Sequence, residues 1–206
     1  MAKYPTVQKS TIRDRCRLMG MECEIFEGID FAHTAPTESE YQDCTFQNCN
    51  LSGIDLSGIR FIDCEFIDCN LSLAKMIDTV WRDVIFKNCK MLGMGFDVSN
   101  RFGLAFSFDG CTLDHSSFHN TKIKNTLFKN THLKEVDFSQ ADLTGVIFDN
   151  CDLKNAAFDQ TIIEKADFRT AVNYSIDPDN NKIKKAKFSI LGLTGLLEKY
   201  NIEIEK

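Results

Sequence analysis

Residues 141–155 read Ala141-Asp142-Leu143-Thr144-Gly145, Val146-Ile147-Phe148-Asp149-Asn150, Cys151-Asp152-Leu153-Lys154-Asn155. Each unit of five carries a compact residue first, a large apolar residue third and turn-forming residues last. The third position keeps its phase far beyond this stretch. Downstream and upstream it runs through Phe108, Leu113, Phe118, Ile123, Phe128, Leu133, Phe138, Leu143, Phe148, Leu153, Phe158, Ile163 and Phe168. Two residues out of phase, the same series occupies Tyr41, Phe46, Leu51, Leu56, Phe61, Phe66, Leu71, Met76, Trp81, Phe86, Met91 and Phe96. All 25 positions are apolar in a chain that is 43% hydrophobic. Independent draws would do this with odds on the order of one in a billion, so the period is a real structural signal. A fixed short repeat means a solenoid, and a solenoid presents a binding surface rather than a catalytic pocket.

Five is neither the 3.6 of an amphipathic helix nor the 3.5 of a coiled coil. A small inward residue followed two positions later by a large one fits a short extended segment and a turn. The outward positions supply the turns, with Asn48, Gly53, Gly58, Asn88, Asn120, Asn125, Asn130, Gly145, Asn150 and Asn155. Seven of the nine cysteines, Cys44, Cys49, Cys64, Cys69, Cys89, Cys111 and Cys151, sit two residues before a central apolar residue. Elsewhere that slot holds Ala74, Thr79, Ser116, Thr121 or Ala141. Cysteine is thus read as a small buried residue. No pair has zinc-site spacing, and disulfides are disfavoured in a reducing compartment.

The 206 residues form one extended domain, with a net charge of −6. That charge disfavours direct nucleic-acid binding, which needs Lys and Arg against phosphate. Met1 to Gly20 has no apolar stretch of signal-peptide length, and no run of about 18 apolar residues exists, so the expectation is a cytoplasmic protein off the membrane. No nucleophile–base pattern, cofactor motif or metal set is evident. His33, His115, His119 and His132 are read as surface residues, and Gly53 and Gly58 lack the strand-to-helix context of a phosphate loop.

Ala141-Asp142-Leu143-Thr144-Gly145, Cys151-Asp152-Leu153-Lys154-Asn155, Cys49-Asn50-Leu51-Ser52-Gly53 and Ala166-Asp167-Phe168-Arg169-Thr170 resemble the pentapeptide-repeat motif. The resemblance covers roughly residues 41–170. It implies an all-β fold, a right-handed quadrilateral parallel β-helix with four five-residue sides per coil, joined here by a short C-terminal helix. On such a coil Phe and the aliphatics of the second tract alternate between opposite sides. In the first tract Tyr41, Phe61 and Trp81 form one column and Phe46, Phe66 and Phe86 the next. Cys44 lies over Cys64, and Cys49, Cys69 and Cys89 stack likewise.

The sequence divides into an N-terminal segment at 1–25, the repeat region at 26–170, and a C-terminal cap at 171–206. Interruptions fall at 32–40, where Pro36 stands at a central position, and at 97–107, where the phase shifts. The pattern is read as ending after Thr170. Ser189 is expected to N-cap a helix reaching about Tyr200, with Leu193, Leu196, Leu197 and Tyr200 on one stripe. Gly192 and Gly195 weaken that helix.

The chain further resembles the quinolone-resistance and microcin B17 immunity group of the family. That resemblance implies a non-enzymatic homodimer joined through the Leu193, Leu196, Leu197 and Tyr200 stripe. It also implies binding to DNA gyrase or topoisomerase IV as a mimic of duplex DNA, and resistance to quinolones or gyrase toxins. The residues bet on for the contact are Asp43, Asp63 and Asp83, twenty apart and therefore stacked, with Asp68 on the next edge. Asp109, Lys129, Asp149 and Arg169 alternate in sign, as stability alone would favour. The alternative is an interaction scaffold using an apolar patch of Ile62, Ile67, Leu73 and Ile77.

Overall fold

The structure is a computed structural model and describes residues 24–32 and 36–205. Most of the N-terminal segment expected at 1–25, and His33, lie outside the described residues. The chain winds into a parallel β-solenoid whose coils have four short sides. Thr45 pairs with Glu65, Asn50 with Asn70, Asp55 with Lys75 and Arg60 with Val80, so each side lies on the side twenty residues later. We number the sides by their central residues: the first around Phe46, the second around Leu51, the third around Leu56 and the fourth around Phe61.

Only two of the sides are straight enough to make strands. These are β1 (Ile25–Glu27), β2 (Glu40–Gln42), β3 (Thr45–Gln47), β4 (Arg60–Ile62), β5 (Glu65–Ile67), β6 (Val80–Arg82), β7 (Val84–Lys87), β8 (Phe106–Asp109), β9 (Leu127–Lys129) and β10 (Ile147–Asp149). Seven stack as the first-side sheet in the order β1-β3-β5-β7-β8-β9-β10, and β2-β4-β6 form a fourth-side sheet. Between sides the chain turns through positive φ two residues after each central residue. Asp43, Asn48, Gly53, Gly58, Asp63 and Asp68 all show it. Asn, Asp and Gly tolerate that conformation best, which is why they dominate these positions.

The interior is a set of aromatic columns. On the first side Phe26, Phe46, Phe66, Phe86, Phe108, Phe128, Phe148 and Phe168 stack with centroid separations of 4.6 to 5.2 Å. Tyr41, Phe61 and Trp81 stack on the fourth side, and Phe96, Phe118, Phe138 and Phe158 on the third. Rings of neighbouring or opposite columns meet edge to face, as Phe61 and Phe66 do at 5.3 Å. Each such pair adds about 0.5–1.5 kcal/mol to the burial itself.

The small inward slot has its own bond. Cys49, Cys64, Cys69, Cys89 and Cys151 each direct a thiol at the carbonyl of a central residue 23 positions earlier, at 3.3 to 3.4 Å. Thr79 and Thr161 do the same with hydroxyls. Cys44, Cys49, Cys64, Cys69, Cys89, Cys111 and Cys151 are all free thiols and buried. Burial pushes the Cys151 thiol up to about 12. The slot therefore asks for a compact residue, and a thiol or hydroxyl there gains a bond to the preceding coil that Ala74 and Ala141 do without.

The two expected interruptions differ. Phe31 and Tyr41 are two sides apart in sequence, and β2 pairs in register with β4, so no residue is inserted between them. The second interruption inserts two. Phe86 pairs with Phe108, 22 residues on, and the surplus bulges from the fourth side between Asn100 and Ala105. Arg101 stands where a central residue was due, and is exposed. Beside Leu104, which packs against the core, a second apolar side chain enters the interior here, Phe106. It comes from the small slot before Phe108, is buried, and packs 5.2 Å from both Phe96 and Phe108. Phe102, at the tip of the bulge, is 91% exposed.

The coil also continues past Thr170. Ile162 bridges Lys182, Asp167 bridges Lys187, and Phe188 stacks on Phe168 at 5.2 Å. The sequence hid this coil because Asn173 and Pro178 stand at its central positions. Tyr174 and Ile176 are buried instead, and Asn181 occupies a small slot, donating to the Phe158 carbonyl at 3.0 Å. Ser189 caps the C-terminal turns, its hydroxyl oxygen accepting from the Gly192 N–H at 3.1 Å. The expected single helix is broken into a 3-10 turn at Ile190–Gly192, one α turn, α1 (Thr194–Leu197), and a 3-10 turn at Glu198–Tyr200. Gly192 and Gly195 back directly onto Tyr174, where a methyl on either would overlap it. They give up helix propensity for close contact with the last coil.

Phe106→Ala should lower stability by about 3–5 kcal/mol, the usual cost of emptying a buried aromatic site. Phe102→Ala, four residues away, should change it by less than about 0.5 kcal/mol. Urea unfolding of the two variants beside the parent checks both, and equal losses would refute the role given to Phe106.

Candidate partner-binding surface

With the interior filled by columns of like side chains, the chemistry available to a partner lies on the four outer sides. The stack of Asp43, Asp63 and Asp83 exists. The Asp43 N–H donates to the Ile62 carbonyl and the Asp63 N–H to the Arg82 carbonyl, at 3.0 and 2.9 Å, fixing the three in one column. Asp68 stands on the next edge. All four are turn residues, with φ of 53, 51, 54 and 53°. Backbone conformation is thus sufficient reason for an Asp at each. Asp83 and Asp68 are exposed, while Asp43 and Asp63 are half-buried.

A longer acidic surface lies on the third side, and the sequence reading missed it. Asp55, Asp78, Asp97, Asp137, Asp159, Asp177 and Asp179 follow one another along this side. Among the described residues Lys75 is its one cation, apart from Lys199, which reaches in from the C-terminal turns to bridge Asp177 and Asp179. These aspartates occupy positions before, after or two beyond the central residue. They therefore share no single twenty-residue spacing, and only folding brings them together.

The remaining sides are electrically compensated or basic. On the first side Lys129 pairs with Asp109 at 2.9 Å. Arg169 does not extend that alternation to Asp149. It turns to Asp167 at 2.7 Å, and Asp149 accepts from the Thr170 hydroxyl instead. Asp142 pairs with Lys124 at 3.0 Å and Asp152 with Lys134 at 3.6 Å. Asp142, Asp152 and Asp167 also accept backbone N–H groups two residues on, closing the turns. Burial alone would raise these three carboxyls. Hydrogen bonds from Thr144 and Lys124, from Asn173 and Lys154, and from Arg169 outweigh it and hold them below the ordinary carboxylate range.

His115 lies 3.2 Å from Glu135 and His119 3.7 Å from Asp137, each on its own side of the coil. Among the described residues no group of three His, Cys, Asp or Glu converges as a metal set. Nor is any helix long and apolar enough to cross a membrane. Of the expected apolar patch, Leu73 and Ile77 are 68% and 63% exposed. Ile62 is buried, correcting its outward assignment, and is flanked in the ladder by the long side chains of Gln42 and Arg82.

At the C-terminal end Leu193, Leu197 and Tyr200 are exposed, whereas Leu196 turns inward against the core. Ile190, Leu191, Ile202 and Ile204 extend the exposed apolar surface. A groove of about 900 Å³ runs between the last coil and this segment, lined by Val172, Tyr174, Leu191, Leu197, Ile202 and Ile204 among others.

The repeat geometry has a counterpart in known proteins. The family described as pentapeptide repeat region matches residues 39–106 and 102–168. The chain belongs to the pentapeptide-repeat family. Two trypsin-treated forms of QnrB1, a plasmid-mediated fluoroquinolone resistance protein, are similar in structure. One aligns with a TM-score of 0.59 at 16% identity, over 90% of this chain and 100% of its own. The other gives 0.53 at 16%, over 89% and 98%. At that identity the likeness is one of fold. No curated protein sequence matches this chain.

Because the folded carboxyls of Asp142, Asp152 and Asp167 lie below their unfolded values, their stabilisation is complete above about pH 3.9. It is lost as pH falls through the lower, folded values. The urea midpoint should therefore drop below about pH 4. It should drop less steeply in the variant with all three replaced by Asn, which keeps a turn acceptor but does not titrate. Parallel pH profiles for the two proteins would show this.

Proposed function

We propose that this pentapeptide-repeat protein is a non-enzymatic binder of DNA gyrase or topoisomerase IV, occupying the DNA-binding surface as a mimic of duplex DNA and protecting the enzyme from quinolones or toxins. The observation that carries the proposal is the acidic third side, a flat row of carboxylates on a rigid rod. The Asp43, Asp63 and Asp83 column and Asp68 lie on the two edges of the first side, the opposite face of the coil, and add negative charge there. A basic saddle shaped for DNA would attract such a rod over long range, and salt would weaken the complex. The shared fold with QnrB1, named for fluoroquinolone resistance, supports the choice of partner.

The protein acts as a homodimer in this reading. Leu193, Leu197 and Tyr200, with Ile190 and Leu191 at 87% and 91% exposure, make an apolar end too extensive for scattered surface residues. A second copy packed end to end would cover it and double the length of the acidic rod. A scaffold role with a different protein partner is favoured by one feature, the exposed Leu73, Ile77 and Phe102. An apolar contact there would survive high salt, unlike the electrostatic one.

Titrating the protein into a gyrase supercoiling reaction, with and without a quinolone, tests the main reading. Inhibition or drug protection is expected. It should weaken when Asp55, Asp137 and Asp159 become Asn, and the parallel Asp43, Asp63 and Asp83 variant measures what the column adds. No effect on either gyrase or topoisomerase IV would remove the reading. Sedimentation should give twice the chain mass for the parent and a monomer for Leu197→Glu; a monomeric parent would remove the dimer.

A further inference from the structure

The fourth side changes sign along the rod. Beyond the bulge it carries Lys122, Lys124, Lys165, Lys182, Lys184 and Lys185 against two carboxylates, Asp142 and Glu164. Ladder pairs of Lys122 with Asp142, Asp142 with Ile162, and Ile162 with Lys182 put these on one continuous side. Asp142 is already neutralised by Lys124 at 3.0 Å.

The last two coils concentrate the excess. Lys165, Lys182, Lys184 and Lys185 are all exposed, and none lies within ion-pair distance of a carboxylate among the described residues. This contrasts with Lys124, Lys129, Lys134, Lys187 and Lys199, which each face one. Lys182 and Lys184 flank Ile183 on one side, about 6.6 Å apart along an extended chain. The Lys165 N–H bonds to the Lys184 carbonyl at 3.0 Å, so Lys165 and Lys185 occupy successive rungs at the same corner. Rungs are about 4.8 Å apart. Glu164 stands one rung from Lys184 and offsets part of this charge; the ammonium groups still outnumber it four to one, repel one another on a rigid surface, and a polyanion relieves that repulsion.

We propose that this corner binds the phosphate backbone of a nucleic-acid duplex, without reading its sequence. The cations are all lysines, point charges suited to phosphate oxygens and not to the forked recognition of base edges. The outward positions of this side, from Lys122 to Lys185, carry no aromatic residue on which unpaired bases would stack, which favours a duplex over a single strand. The net charge of −6 that argues against nucleic acid is an average over sides that face different ways. The acidic third side lies around a corner, about 10 Å across the rod, and the screening length at physiological salt is about 8 Å. The lysine corner therefore presents its own sign to a ligand.

The test is fluorescence anisotropy of a labelled, blunt, mixed-sequence DNA duplex titrated with the full chain, with no topoisomerase present, so that it stands apart from the preceding reading. With four phosphate contacts, affinity should fall about 100-fold between 50 and 200 mM salt. Replacing Lys165, Lys182, Lys184 and Lys185 with Gln should weaken binding at least about tenfold at the lower salt. Replacing Lys75, Lys90, Lys129 and Lys154 with Gln, the same change of charge elsewhere, should leave it within about twofold. Circular dichroism confirms that each variant is folded, and a corner variant that fails it is replaced by the single Lys184→Gln and Lys185→Gln proteins. Absence of duplex binding at 50 mM salt, equal loss in both sets of variants, or tighter binding of a single strand would each overturn the proposal.

Discussion

Everything in this molecule depends on the backbone ladder that joins each residue to the one a coil away. N–H and C=O groups leave a side of the coil in parallel pairs and find partners about twenty residues on, while N–H groups of small slots such as Ala74, Thr79 and Ala141 close the corner on the carbonyl three residues back. Whatever stands at one position therefore stands about 4.8 Å from its counterparts above and below. Like stacks on like. Inside, that favours flat rings, which meet face to face with their own column and edge to face with the next. It also favours a compact residue whose S–H or O–H reaches a carbonyl of the preceding coil. At the corners it favours residues that accept positive φ.

The same rule makes the surface hard to build. Equal charges in successive rungs repel, and the chain answers in two ways. On the first side it alternates them or turns them aside, as Lys129 does with Asp109 and Arg169 with Asp167. On the third side, and on the fourth beyond the bulge, it lets one sign accumulate. An accumulation costs stability and brings nothing to the fold. Its persistence on two adjacent sides, with opposite signs, is the physical reason for looking for partners there.

The interior was legible because its information is one-dimensional. A large apolar residue every fifth position predicts the columns, including which aromatics share a side. Three features were not legible, each for a stated reason. Phe106 belongs by phase to a small slot, and nothing in the repeat shows that its ring packs inside against Phe96 and Phe108 where Arg101 leaves the interior. The last coil replaces its central residues with Tyr174 and Ile176 while keeping Ile183 and Phe188 in phase, so a search for an unbroken run stops one coil early. Gly192 and Gly195 looked like flaws in a helix, and their purpose appears only with Tyr174 against them.

The candidate surface was legible only where it repeated at one spacing. Asp43, Asp63 and Asp83 announce themselves because they are twenty apart, yet that regularity comes from the turn they share. Asp55, Asp78, Asp97, Asp137 and Asp159 have no common interval, since a side accepts an outward carboxylate at three different positions. A partner reading the rod meets the side as a whole and is indifferent to which of the three is used. Selection by backbone geometry leaves a strict period, whereas selection by a partner's field need only fill the side. On that criterion the irregular third side is a stronger mark of binding than the regular column, and the lysines of the fourth side, which stand before, after and two beyond its central residues, are its counterpart of opposite sign.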